Sequence, residues 1–463
     1  MSNRVREWLL PLVQLCDNVI SLAGVVLVTS ATVLWIFLLP SSLGEGGQHP
    51  YLGILAFLVL PGAFFAGLGL IPLGGWLQRR MRGAPALPAT LDFRNPALKR
   101  LAAFVAGATV LNVGLASQFT YSAVSYMDGV QFCGQTCHTV MKPEFTAYQN
   151  SPHSRVECVK CHIGPGASWF VKSKLSGLRQ VYAVAFDTHD RPIQTPIPDL
   201  RPARETCEAC HWPQKYGEDR IRVTQRFAED EQNTASRNVL MMRIGKIHRA
   251  HQGEGVRITY RSDAKREIIP WVEYTRNGGD RRVYLADKAK AEDIARLELR
   301  ELDCMDCHNR PSHSFQPPEF AVDAEMSAGG IPASLPFAKK TALAILKQPY
   351  ASTAEAHTRI PDAWRNFYQT NYPAVARDRS AEIDAAGRRV LALFDRNVFP
   401  EMKVQWGTYP NHIGHNASPG CFRCHDERPS GTKTLSQDCN TCHQLLAMEE
   451  KEPKILSDLG WTN

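Results

Sequence analysis

Twelve of the 13 cysteines in this 463-residue chain fall in six Cys-pair-His clusters, and that arrangement limits the fold more than any other feature. Five clusters read C-x-x-C-H: Cys158, Cys161 and His162; Cys207, Cys210 and His211; Cys304, Cys307 and His308; Cys421, Cys424 and His425; Cys439, Cys442 and His443. The first cluster in chain order, FCGQTCHTVM, is irregular. It places three residues between Cys133 and Cys137, then His138 and, three positions on, Met141. Composition alone predicts about 0.01 copies of C-x-x-C-H, so five copies are a built feature.

Cysteines organised in this way argue against a disulfide scaffold. Two cysteines at this spacing reach the two vinyl groups of a haem, and the adjacent histidine takes an axial position on its iron. Four-cysteine zinc sites also use C-x-x-C pairs, but they do not require a histidine after every second cysteine. The clusters therefore predict six covalently bound haem c groups.

Iron that transfers electrons without binding substrate needs a second axial ligand. Six of the 15 histidines lie in the clusters, which leaves enough for every iron. His153 lies five residues before Cys158, His313 five residues after His308, and His412 and His415 just ahead of Cys421. All four are expected as distal ligands. His248 and His251, in KIHRAHQG, are expected to supply one ligand between them, or two. His189 and His357 stay open between ligand and surface histidine. Cys16 reads as a free thiol on the cytoplasmic side.

The first 120 residues are mostly apolar. Val19 to Leu39, Tyr51 to Leu77 and Leu101 to Ser117 are runs that predict three transmembrane helices, with Pro61 and Pro72 as kinks in the second. Lys and Arg are retained on the cytoplasmic side. Arg4 and Arg6 precede the first run, and Arg79, Arg80, Arg82, Arg94, Lys99 and Arg100 separate the second from the third. The loop from Ser41 to Pro50 has no Lys or Arg. The expected location is a bacterial inner membrane, multi-pass, with the cysteine clusters on the periplasmic side.

The expected fold is mainly α with little regular structure: transmembrane helices followed by a haem-packed domain carrying a small β insertion. The expected divisions are a membrane anchor at 1–120, three haem clusters at 121–213, the β insertion at 214–300 and three further clusters at 301–463. VRITYRS and IIPWVEYTRNGGDRRVYLA are β-branched and aromatic, with NGGD as a turn. DKAKAEDIARLELRELDC has helical spacing, and helices are also expected at Phe337 to Leu346 and Ala381 to Phe394. The formal charge is +7, but the propionates of six haems would take it to about −5. No basic block is interleaved with aromatics, so nucleic acid is excluded as a partner.

Several stretches carry a family resemblance: CHTVMKPEF, SPHSRVECVKCHIGPG, KSKLSGLRQ and RPARETCEACHWP, between Cys133 and Pro213. With membrane spans leading into haem motifs, the chain resembles the NapC/NirT family of membrane-anchored multihaem cytochromes c. NRPSHSF and YPNHIGH…GCFRCH resemble its longer inner-membrane members, used in extracellular electron transfer. The resemblance implies a quinol dehydrogenase that takes electrons from the membrane quinol pool and passes them to periplasmic cytochromes or reductases. It also implies that a methionine after the first motif ligates the first iron; Met141 stands three residues past His138 instead of two, so His138 and Met141 both stay candidates. A lysine after the second motif is implied in the quinol pocket, which points to Lys172 and Lys174; their alternative is contact with the headgroups of the lipid bilayer. His49 and Glu45 are further candidates to approach the quinol headgroup. The compact members have one span and four haems, and their acidic quinol-site partner has no identifiable counterpart here.

A methionine ligand raises the potential of its haem relative to bis-histidine neighbours, which suits acceptance from quinol. Two other functions compete: a relay subunit fed by a separate quinol oxidase, and a multihaem reductase of a small nitrogen or sulfur oxyanion. The purified protein is expected to show a Soret band and the added mass of six haems; absence of the band would end the haem reading.

Overall fold

The computed structural model describes residues 19–43, 55–82, 124–136, 138–164, 166–197, 200–212 and 217–461, with isolated positions between 106 and 122. Arg4, Arg6, Cys16, Glu45, His49, Cys137, the side chain of His138 and most of the third apolar run lie outside the described residues. The chain divides into two units, Met1–Cys137 and His138–Asn463.

In the first unit, α1 (Val19–Leu43) packs against α2 (Leu60–Arg82), which follows a π-helical turn at Leu55–Val59. Gly24 and Gly67 make the close crossing possible: a Cβ on Gly24 would lie 2.7 Å from the Gly67 carbonyl oxygen, and one on Gly67 2.8 Å from that of Gly24. Small residues let helix backbones approach in this way. Ser21 donates to the Ile71 carbonyl at 2.9 Å, and Trp35 packs on Phe64. Leu60–Gln78 is the one stretch among the described residues long and apolar enough to cross a membrane, and Val19–Thr32 is a shorter apolar stretch within α1. Of the three spans expected from the sequence, one meets the length and composition of a span among the described residues, and most of the third lies outside them. Pro72 lies inside α2. The unit closes on a second π-helical turn, Phe132–Thr136, which carries Cys133.

The second unit opens with α3 (His138–Gln149), α4 (Cys158–His162), α5 (Ala167–Ala185) and α6 (Ala203–Cys207). Strands β1 (Arg220–Phe227) and β2 (Ala235–Met242) lead into α7 (Ile244–Gln252). Next come β3 (Val256–Ser262), β4 (Trp271–Arg276) and β5 (Asp280–Leu285). Asn277 and Gly278 join β4 to β5 with φ of 50° and 71°, the left-handed backbone that a tight hairpin demands. The helix expected over 287–304 is cut short. Only α8 (Ala291–Arg296) is helical, and Glu298–Glu301 forms β6 instead, because that segment pairs along β3 with Thr259 opposite Glu301. Pairing to an existing strand overrides a helical propensity that is only a weak prior.

After α9 (Cys304–Cys307) the chain forms a helical subdomain: α10 (Pro318–Ser327), α11 (Ala338–Leu346), α12 (Thr353–Asn371), α13 (Pro373–Asp378) and α14 (Ser380–Asn397). Its core surrounds the fully buried Trp364, whose indole donates to the Ile383 carbonyl at 2.9 Å. A buried Asp323–Lys339 pair at 2.7 Å ties it to β1, since Asp323 accepts from the Phe227 amide and Lys339 donates to the Phe227 carbonyl. A 3₁₀ turn at Gly420–Arg423, α15 (Cys439–Cys442), β7 (His443–Glu450) and α16 (Lys454–Asp458) end the chain.

Two larger antiparallel sheets result, with strand orders β1-β2-β7 and β5-β4-β3-β6, beside a two-stranded ribbon that pairs Pro429–Ser430 with Lys433–Thr434. In the first, Met242 at the end of β2 sits opposite His443 at the start of β7. In the second, β6 runs beside β3 directly into α9. Helix α7 therefore lies between a strand paired to the last cysteine motif and a strand paired to the segment that precedes the fourth.

Candidate functional site

Four of the five regular motifs begin or end on a single helical turn: Cys158–His162, Ala203–Cys207, Cys304–Cys307 and Cys439–Cys442. The fifth lies on the 3₁₀ turn at Gly420–Arg423. In the second, fourth and sixth motifs one turn sets both cysteines on neighbouring positions of the same face. The irregular motif uses a different turn. Phe132–Thr136, which carries Cys133, is π-helical, with i→i+5 spacing in place of the i→i+4 of an α-turn.

The motif histidines are matched one by one with histidines from elsewhere. His162 faces His313 at 6.2 Å between ring centres, His211 faces His153 at 5.9 Å, and His308 faces His248 at 6.4 Å. His425 faces His251 at 5.9 Å, and His443 faces His415 at 6.2 Å. Two imidazoles bound on opposite sides of one metal ion, each at about 2.0 Å, have ring centres about 6 Å apart. The spacing is too long for stacking contact and fits one ion between each pair.

The other ring nitrogen is often held in place by the backbone. The Nδ1–H of His153 donates to the Pro311 carbonyl at 3.1 Å, that of His313 to Glu144 at 2.9 Å, that of His251 to Ile247 at 2.8 Å and that of His425 to Ser436 at 3.0 Å. Such bonds fix the tautomer in which Nε2 carries the free lone pair, the form a metal requires. Burial lowers the pKa of His251 and of His443, with the facing His425 and His415 adding to the effect, so both favour the neutral ligand form.

The placement of α7 explains why one short helix serves two motifs. His248 and His251 are three residues apart and share a face. Arg243, at the α7 N-terminus, donates its amide to the Cys442 carbonyl at 2.9 Å. Gln252, at its other end, donates to the Leu302 carbonyl at 3.0 Å. The helix is thus fastened to the sixth motif and to the fourth, and its two imidazoles turn to the fourth and fifth.

Successive motifs also touch. Helix α4 contacts α6, and α6 contacts α9. The Cys207 thiol shares a hydrogen bond with the Cys304 thiol, which joins the third motif to the fourth. Arg423, inside the fifth motif, donates to the Asp306 carbonyl inside the fourth, and Cys307 lies near Cys421. Gln437, ahead of the sixth motif, donates to the His425 carbonyl at 2.7 Å. From the second motif to the sixth, spatial order follows chain order.

Residues the sequence did not single out hold this array. Asp306, between Cys304 and Cys307, is buried and accepts from the Tyr260 hydroxyl on β3, from Arg266 at 3.4 Å and from the Asp303 amide at 2.7 Å. Glu144 pairs with the buried Arg310 at 3.4 Å, and Arg310 lies 3.9 Å over the Tyr409 ring. Burial pushes the Tyr409 phenol up to about 12. The only sequence signal for Asp306 is its place inside a haem motif.

Other expected residues are placed differently. His412 is buried and, among the described side chains, faces no motif histidine, the His138 side chain lying outside them; its amide donates to the Asn309 side chain at 2.8 Å. Burial and the guanidinium of Arg423 push its pKa down to about 4. Three residues later, the open turn through Gly414 delivers His415 to His443 instead. His357 pairs with Asp395 at 2.8 Å on the surface of the helical subdomain. His189 lies 3.7 Å from Asp187. Met141 is half-buried on α3, one turn after His138. Lys172 and Lys174 lie on α5, where Lys172 is exposed with its ammonium 4.6 Å over Trp169 and Lys174 is half-buried.

The donor set fits haem. The described cysteines of motifs three to six carry thiols, not disulfides. Among the described residues no three His, Cys, Asp or Glu side chains converge on a metal position, whereas a structural zinc site takes four. A pair of axial imidazoles beside a cysteine pair is what covalently attached haem needs.

A model of the NapC/NirT cytochrome c family, N-terminal region, matches residues 96–194. The cytochrome c-type protein ImcH of Geobacter sulfurreducens is 42% identical over 449 residues, spanning 93% of this chain and 88% of that protein. No solved structure matches.

Asp306→Asn removes the buried charge that gathers Tyr260 and Arg266. It is expected to destabilise the holoprotein by about 2 kcal/mol, read by chemical denaturation, with Tyr260→Phe costing less. Equal stability of Asp306→Asn and the parent would remove Asp306 from this role.

Proposed function

Because the chain belongs to the NapC/NirT cytochrome c family, we propose that it is a membrane-anchored hexahaem cytochrome c that oxidises menaquinol at the periplasmic face of the inner membrane and delivers the electrons to periplasmic acceptors. The observation that carries this reading is the set of five imidazole pairs in motif order. When bound, the haems supply one-electron transfer along a line set by that order.

In this reading Cys133 and Cys137 hold the first haem, and the five regular cysteine pairs hold the others. His162 with His313, His211 with His153, His308 with His248, His425 with His251, and His443 with His415 would hold the other five irons, one pair to each. Filling both axial positions leaves no site for substrate on these irons, which favours electron transfer over oxyanion reduction. Met141 is the residue that sets the first haem apart, as a thioether ligand that raises its potential. Lys172 and Lys174 follow the second motif on α5, and their ammonium groups are suited to hydrogen-bond a quinol oxygen. Menaquinol releases two protons as well as two electrons. The anchor, with Leu60–Gln78 of α2 as its span, keeps the chain at the quinol pool.

His251→Ala is expected to convert one low-spin iron to a five-coordinate high-spin one, seen by electron paramagnetic resonance, with the other irons unchanged. An unaltered spectrum would remove His251 as a ligand.

The function is tested by stopped-flow reduction with a menaquinol analogue in detergent. Rapid haem reduction is expected in the parent, and Met141→Leu should slow it about tenfold or more, the rate change that about 1.4 kcal/mol in barrier produces, while lowering the potential of one haem. Normal reduction by dithionite with none by menaquinol would overturn quinol oxidation and favour a relay fed by another subunit.

A further inference from the structure

Helix α5 carries an apolar stripe that nothing among the described residues covers. At about 100° per residue, Val171, Leu175, Leu178, Tyr182 and Phe186 fall within about 80° of one another around the helix. Each is between 55% and 66% exposed. Tyr182 and Phe186 are in ring contact at 4.6 Å, so the C-terminal end of the stripe is a continuous aromatic surface. The helix is 19 residues long, about 28 Å, and among its described residues none is fully buried. Soluble surfaces rarely leave a contiguous apolar patch of this kind open.

The charges of α5 say what covers it. Its sequence, ASWFVKSKLSGLRQVYAVA, has no acidic residue. Lys172 and Arg179 flank the stripe on one side and Lys174 flanks it on the other, while Ser173, Ser176 and Gln180 lie opposite. A second copy of the chain docked stripe to stripe would bring like charges together. A bilayer with anionic headgroups accepts both parts at once: the apolar residues enter the acyl boundary, and the long basic side chains reach back to the phosphates. The chain also carries, in Leu60–Gln78, a helix able to hold it at a membrane.

We propose that α5 is an interfacial helix that lies on the outer leaflet, with the Val171–Leu175–Leu178–Tyr182–Phe186 stripe in the lipid and Lys172, Lys174 and Arg179 at the headgroups. The two lysines that follow the second haem motif are then held at the depth where a quinol headgroup resides. The proposal does not rest on quinol oxidation, because a chain that only relayed electrons would place α5 in the same way.

The test uses the full-length holoprotein in vesicles of phosphatidylglycerol and phosphatidylcholine. Leu178→p-benzoylphenylalanine on the stripe and Gln180→p-benzoylphenylalanine on the opposite face are irradiated separately, and adducts are identified by mass spectrometry. Lipid adducts are expected at position 178 and not at position 180. Should the position 178 variant lose its Soret band, Tyr182→p-benzoylphenylalanine replaces one aromatic by another on the same stripe. Cross-links from the stripe to a second copy, to the same chain or to haem would overturn the proposal, as would equal lipid labelling of both faces or no lipid adduct at either stripe position.

Discussion

Imidazole facing imidazole across about 6 Å is the contact on which the second unit depends. Each of the five pairs joins a motif histidine to one drawn from another part of the chain. The joins cross one another: His153 stands beside the second motif but faces the third, and His313 stands beside the fourth but faces the second. Such crossing stitches 153–211 to 304–313 without a conventional apolar core between them. The largest apolar cluster of the unit lies in the helical subdomain around Trp364, and a smaller one on β3, β4 and β5 packs against Cys424 of the fifth motif.

Helix α7 shows how secondary structure serves that contact. A nine-residue helix has little stability of its own in water. Its orientation comes from β2 on one side and β3 on the other, and each strand is paired to a segment adjoining a cysteine motif. The β strands are therefore positioning devices: they aim His248 and His251 at two neighbouring motifs. Asp306 and Tyr260 extend the same link, from inside the fourth motif to the strand that leaves α7.

Much of the candidate site was legible in the sequence because covalent haem chemistry requires neighbouring residues. A cysteine pair and its histidine must lie within one helical turn, so the pattern is local and the five regular motifs stand out. His153, His313 and His415 were legible as surplus histidines near those motifs, and His248 and His251 as a surplus pair far from any motif, but not their partners. The strands β1, β2 and β7 were not legible, and neither was the end of α8, because strand pairing is decided between segments far apart in the chain. His412 and His415 are alike in sequence context, and only the turn between them turns one inward and brings the other to His443.

By itself the sequence determined the chemistry: six cysteine pairs with histidine, a histidine for every iron, and apolar runs at the start of the chain. It also determined that the first motif differs, through one inserted residue and the methionine that follows. The tertiary structure decided which histidine meets which motif and that the motifs touch in chain order. It also decided that the stretch carrying Cys133 is a π turn and that α5 turns its apolar face outward. The reason is physical: a haem motif is satisfied within five or six residues, whereas its opposite ligand and its neighbours are set by how distant segments pack.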